Sequence, residues 1–206
     1  MTTTPIADKY AYLYANDPLF EELSRLDDAG LIRRLGCGLE IFDRRLFELS
    51  DAQLDQAFLP EAGVGRWPVR VLLGHLADAE MLYVHRMRRA VGEDNPLLSN
   101  WDENAAVDAG LYTGSQHPIG AFVAVVHTLR RWTVEWLTTL TGDQLDRRAM
   151  HPERGEMTVR RLALYDAWHL EHHAKYLNLK VERFLGPRPA EPEAGCGAGC
   201  GCRGKK

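Results

Sequence analysis

The sequence predicts an all-α protein built as a four-helix bundle, and three observations carry that reading. Between breaks marked by Pro and Gly, apolar residues recur at steps of three and four, and no run alternates convincingly with period two. Four such stretches reach about 20 residues or more, each with one apolar stripe, as helices packed around a shared core require. The chain also repeats itself. LSDAQLDQAFLPEAGVGRWPVRVLLGHL from Leu49 aligns with LTGDQLDRRAMHPERGEMTVRRLALYDA from Leu140, sharing Leu-x-x-x-Gln-Leu-Asp before a loop and Val-Arg-x-Leu after it, as two helical hairpins of one design would.

A short first helix is expected at Asp17-Pro18, where aspartate caps and proline fills the first helical position. Leu31, Ile32, Leu35, Leu39, Phe42, Leu46 and Leu49 then mark the first long helix. Pro68 opens the second, to about Val91; Pro118 opens the third, to about Leu140; Thr158 caps the fourth, to about Leu185. The stretch from Gly92 to His117 exceeds the roughly 15 residues usual for a connection, which suits a cover over a pocket with Trp101 and Tyr112 as its anchors. Residues 1–27 therefore read as an extension with a short helix, 28–185 as the bundle, and 186–206 as a flexible tail.

Composition excludes several classes of function. With 206 residues, 45% of them hydrophobic, the chain can bury one substantial core. A net charge of -4 offers no basic surface for nucleic acid. The start, MTTTPIADKY, lacks the marks of a secretory signal, and nowhere do about 18 apolar residues run together, so a cytoplasmic protein without a membrane span is expected. Of the four cysteines, Cys37 falls in a helical pattern while Cys196, Cys200 and Cys202 crowd the tail, a usage that fits a reducing compartment. The tail's C-x3-C-x-C could bind zinc, copper(I) or nickel when deprotonated; the other reading is an inert extension.

The candidate site lies in YDAWHLEHHAKYL, residues 165–177. On a helical wheel with His169 at zero, Leu162 lies at about +20°, Tyr176 at about -20° and His173 at about +40°, on the inward stripe, with Glu171, Lys175 and Asn178 on a solvent side. His169 and His173, one turn apart, can present ring nitrogens to one ion; His172 at about -60° leaves a pair with His169 open as well. A catalytic ion normally takes three protein ligands, and His75, on the stripe of Leu72, Ala79 and Leu82 in the second helix, is the best third. Three imidazoles meeting in one core would be hard to satisfy without an ion.

RWPVRVLLGHLADAE around His75, NPLLSNWDE in the middle loop, HPERGEMTVRRL and AWHLEHHAKYL together resemble the DinB and YfiT-like metal-binding four-helix bundles, over about Asp28 to Leu185. The resemblance implies a divalent-metal triad of His75, His169 and His173, with His172 a neighbour, and bundles that often pair as homodimers. Related bundles in iron-dependent sulfoxide synthases carry H-x3-H-x-E, whereas here Ala174 and Lys175 follow His173, which argues against their chemistry.

Neutral imidazoles leave an ion its full charge, so it can acidify water or hold a thiol as thiolate. H-E-x-x-H is absent, and H-x-E lacks the P-C-x-x-C of deaminases, so the usual protease and deaminase arrangements are missing. Members of the resembled family include thiol S-transferases that detoxify electrophiles, with zinc or nickel as the metal, and others described as metal-dependent hydrolases. Transfer of a low-molecular-weight thiol to a small electrophile is therefore expected; hydrolysis and a non-catalytic, ion-stapled stress protein are the alternatives. Asp78 and Asp166, each three residues from a proposed ligand, are candidates to orient an imidazole or relay a proton, and Arg86 to hold a carboxylate of the thiol.

Overall fold

Residues 7–188 are described by a computed structural model; Cys196, Cys200 and Cys202 lie outside the described residues. Asp17 caps α1 (Pro18–Ser24) by accepting the Leu19 amide, and Asp27 caps α2 (Asp28–Gly36) by accepting that of Gly30. The single long helix expected from Leu31 to Leu49 is not formed. After Gly36 the chain continues in two 3-10 turns, Gly38–Ile41 and Arg44–Glu48. The chain packs closely where it leaves the helix: Arg130 donates to the Leu35 carbonyl at 3.1 Å, and a Cβ on Gly38 would stand 2.4 Å from the Leu170 side chain and 2.9 Å from the Arg130 guanidinium. Asp43 then caps the second turn through the Arg45 amide. Phe42, Leu46 and Leu49 are still buried, because a three-residue turn keeps the inward stripe that the spacing announces.

The repeat is visible in the next elements. Ser50 and Gln53 form a capping box at α3 (Asp51–Leu54), and Thr141 and Gln144 form its counterpart at α7 (Gly142–Leu145), so the shared Gln-Leu-Asp motif encodes a helix start. Between them run α4 (Val69–Gly92), α5 (Glu103–Asp108) and α6 (Ile119–Leu137). The 27-residue α8 (Val159–Leu185) is capped by Thr158 through the Arg161 amide. α4 packs against both α6 and α8, and α2 lies across α6 and α8, which completes a mostly helical bundle. No described helix is long and apolar enough to cross a membrane.

One small sheet was not expected. β1 (Arg148–His151) pairs antiparallel with β2 (Gly155–Thr158), Ala149 opposite Met157, both buried, with Arg148 and Glu156 exposed. Four residues alternate too briefly to stand out in a sequence, and Gly155 supplies the positive φ of 71° that the turn needs. The sheet has a use: Leu98 donates its amide to the Met150 carbonyl and Met150 donates to that of Pro96, which straps the start of the long 92–117 connection to the bundle.

The far side of α8 also differs from the wheel. Glu171 and Asn178 do not face solvent: Arg34 clamps Glu171 through bonds of 2.6 and 2.8 Å, and Asn178 accepts the Asp43 amide and donates to the Ile41 carbonyl. α2 and the 3-10 turns cover that side, leaving Lys175 exposed.

Candidate metal centre

α4 brings His75 to the middle of the bundle. The preceding Gly74 lets the chain approach the Tyr112 ring, where a Cβ would meet ring carbons at 2.4 and 2.6 Å, so the long connection sits directly on this turn. α8 supplies His169 and His173 one turn apart. The three rings converge, with centroids 4.9 Å apart for His75 and His169, 4.9 Å for His75 and His173, and 4.5 Å for His169 and His173. One nitrogen from each lies within 4.8 Å of the others.

Electrostatics keep these rings in ligand form. Burial pushes His75 down to about 4, and burial reinforced by the neighbouring imidazoles holds His169 and His173 well below the ordinary histidine value. All three are neutral at pH 7. Nε2 of His75 and Nε2 of His169 are 3.0 Å apart, close to the roughly 3.3 Å edge of a nitrogen tetrahedron with bonds of about 2.05 Å. Nδ1 of His75 is buried without a hydrogen-bond partner among the described residues, so its tautomer is not fixed from behind. Three neutral imidazoles of this spacing fit a divalent ion. His75 is 2% exposed, and His169 and His173 are half-buried.

Two indoles line the site. Trp101 stacks on His75 with centroids 5.2 Å apart and planes inclined by 14°, and Trp67 lies 4.9 Å from His75 and 6.5 Å from His173. Tyr112, donating to Asp78 and packed on Gly74, pins the other part of the connection. His172 stands outside the donor group: its Nδ1 lies 3.6 Å from Asp17 and its ring 5.1 Å from that of Trp168.

The remaining candidates are held elsewhere. Asp78 accepts from Tyr112, Asp166 accepts from Arg130 at 2.6 Å, and Arg86 donates to the Ser99 carbonyl at 2.7 Å; among the described residues none of the three bonds to a triad imidazole. Sequence reasoning missed the buried Glu80–Arg130–Asp166 group beside the site, in which Arg130 donates to both carboxylates. Its signal was a charge inside an apolar stripe, since Val126, Arg130, Thr133 and Leu137 form one buried row of α6. Trp67, just ahead of Pro68 at the opening of α4, was also overlooked.

The model of the DinB superfamily matches residues 39–177. YfiT of Bacillus subtilis, named "putative metal-dependent hydrolase", is 30% identical over 140 residues, covering 67% of this chain and 74% of that protein. Relatives with the same designation occur in Halalkalibacterium halodurans, 33% identical over 119 residues (57% of this chain, 67% of the relative), and in Oceanobacillus iheyensis, 27% over 139 residues (67% and 76%). The solved structure of YfiT, described as having "an unusual four-helix bundle topology", superposes with a TM-score of 0.67 over 77% of this chain and 87% of its own at 24% identity, a likeness of fold. With a family model spanning most of the bundle and the four-helix architecture shared, this chain belongs to the DinB superfamily.

Proposed function

We propose that this protein is a divalent-metal enzyme that transfers a low-molecular-weight thiol to an electrophilic small molecule, with zinc or nickel held by His75, His169 and His173. The observation that supports this reading is the state of the nearby carboxylates. Asp78 is engaged by Tyr112, Asp166 by Arg130 and Glu171 by Arg34, and among the described residues none of them is hydrogen-bonded to a triad imidazole as a base for metal-bound water would be. A thiol, with an ordinary pKa of about 8.5, ionises near neutral pH under positive charge alone. When bound, the ion supplies that charge undiluted, because its ligands are neutral. Trp67 and Trp101 shield His75. In the transfer the thiol proton passes to solvent, a sulfur–carbon bond forms, and the leaving group departs with the bonding pair. A detoxifying role in the cytoplasm, where such thiols stay reduced, accompanies this reading.

The test begins with metal content. Full-length untagged protein carrying Cys196→Ser, Cys200→Ser and Cys202→Ser is expected to retain about one equivalent of ion, lost in His75→Ala, and to consume thiol in the presence of 1-chloro-2,4-dinitrobenzene only when loaded. A protein still metal-free after incubation with zinc and nickel refutes the site. The designation of the relatives favours a second reading, hydrolysis; cleavage of p-nitrophenyl esters by the loaded protein without thiol consumption would establish it instead.

A further inference from the structure

α4 carries a second inward group at its far end. Arg86 follows His75 by eleven residues, about 20° away on the helical wheel and about 16 Å further along the axis, so both project from one face. Its side chain is buried, at 6% exposure. Among the described residues it forms no ion pair: Nη2 donates to the Ser99 carbonyl, and Nε is buried with no partner. Other buried guanidiniums are met by carboxylates, Arg70 by Asp51 and Asp55, and Arg130 by Glu80 and Asp166. A buried guanidinium without a counter-ion is strongly destabilising, so an unmet one needs an explanation.

The neighbourhood adds a second guanidinium, which is paired with Asp8, and the carboxylates of Glu103 and Glu153 lie near this group. Arg154 is near enough to disfavour the charge on Arg86, and its Nη1 is buried without a hydrogen bond, 3.6 Å from the closest Asp8 oxygen. His151, 2% exposed, is held neutral by burial and by both guanidiniums. The cluster adjoins the triad, because the Tyr83 ring lies 6.0 Å from that of His169, and Ser99 is two residues from the Trp101 that stacks on His75.

We propose that Arg86, with Arg154 beside it and the Tyr83 hydroxyl as a further donor, forms an oxyanion subsite for the carboxylate of the small molecule or thiol whose reactive end lies at the histidine triad. The free Nε edge of a planar fork suits a planar carboxylate. Since an arginine side chain leans back toward the start of its helix, about 10 Å separates the two sites, the span of an amino-acid or short-peptide derivative rather than of a compact neutral electrophile. The assignment of a reactive end rests on the triad reading; the anion site itself does not.

Thermal unfolding of the full-length protein at fixed ionic strength tests the subsite, with glutarate, the uncharged glutaramide and inorganic phosphate as probes. At ten times its Kd, glutarate is expected to raise the Tm of the wild type and of metal-free His75→Ala by about 3–6 °C, and glutaramide to leave it unchanged. Arg86→Met is expected to match or exceed the basal Tm of the wild type while losing the response; should it fail to fold, Arg86→Lys keeps the charge, loses the fork and weakens glutarate binding about tenfold. An undiminished response in the variant that folds, or none in the wild type, overturns the subsite; stronger stabilisation by phosphate overturns the carboxylate assignment. For the link to the triad, calorimetry on metal-loaded protein is expected to show glutathione binding about tenfold tighter than its dimethyl ester, with the difference gone in Arg86→Met or Arg86→Lys. Equal binding of acid and ester overturns the link, while a retained glutarate response in a protein that takes no metal isolates failure of the triad.

Discussion

Neutralising Glu80 and Asp166 together should cost far more than the two changes made singly. Both carboxyls lie on Arg130, Glu80 through Nε at 2.7 Å and Asp166 through Nη2 at 2.6 Å, and all three side chains are 2% exposed or less. Burial pushes both carboxyls upward while Arg130 pulls them down, so the pair holds one proton between them at neutral pH and Arg130 has a single counter-ion. Glu80→Gln imitates the protonated acid and should change stability by less than about 1 kcal/mol. Asp166→Asn should cost about 1–2 kcal/mol, because Glu80 can ionise in its place. The double variant leaves Arg130 buried without a counter-ion, a loss of about 3–5 kcal/mol, so the coupling should be about 2 kcal/mol beyond the sum. Urea unfolding of the metal-free protein at pH 7 measures this: at an m-value of about 2–3 kcal/mol/M, the coupling shifts the midpoint by about 0.7–1 M. Additivity within about 0.5 kcal/mol, or a Glu80→Gln loss as large as that of the double variant, would refute the shared-proton account.

Acid should destabilise the metal-free protein through His75. Its folded value of about 4 lies below the unfolded one of about 6.5, so its contribution is intact above about 6.5 and drains as pH falls toward about 4. Between pH 7 and pH 5 the wild type should lose about 2 kcal/mol more than His75→Asn, read from urea unfolding at each pH; parallel losses would show that the ring already carries a proton in the folded state. Gly74→Ala should cost about 1–3 kcal/mol, since its Cβ would strike the Tyr112 ring, and should hasten proteolysis within residues 92–117; an unchanged digestion pattern would mean that Tyr112 does not pin the connection. Removing the ion with a chelator should lower Tm by several degrees in the wild type and not in His75→Ala, measured by scanning calorimetry.

The parts of the fold legible in the sequence are those whose signals are local. Asp17-Pro18 and Thr158 announce helix starts that the structure forms, and the period of α4 and α8 suffices to put His75, His169 and His173 on inward faces. The break after Gly36 was hidden because the apolar stripe runs on through the 3-10 turns, and the guanidinium that takes the Leu35 carbonyl at the end of α2 comes from Arg130, far along the chain. Partnerships were equally hidden: Tyr112 stands 34 positions from Asp78 and Arg130 stands 36 from Asp166, and nothing in one sequence pairs them. The repeat, too, conceals a difference. Its second copy folds the loop into β1 and β2, while the first turns through Gly63 and Gly65 at positive φ without strands.

The indole of Trp101, lying face to face with His75, makes the protein its own optical probe. An open-shell ion such as nickel or cobalt drains excited indole by energy and electron transfer over a few ångströms, whereas closed-shell zinc does neither. Emission from Trp101 and Trp67 would dim as nickel enters and persist with zinc, so the colourless protein discloses the electronic character of its occupant in a cuvette, without a label.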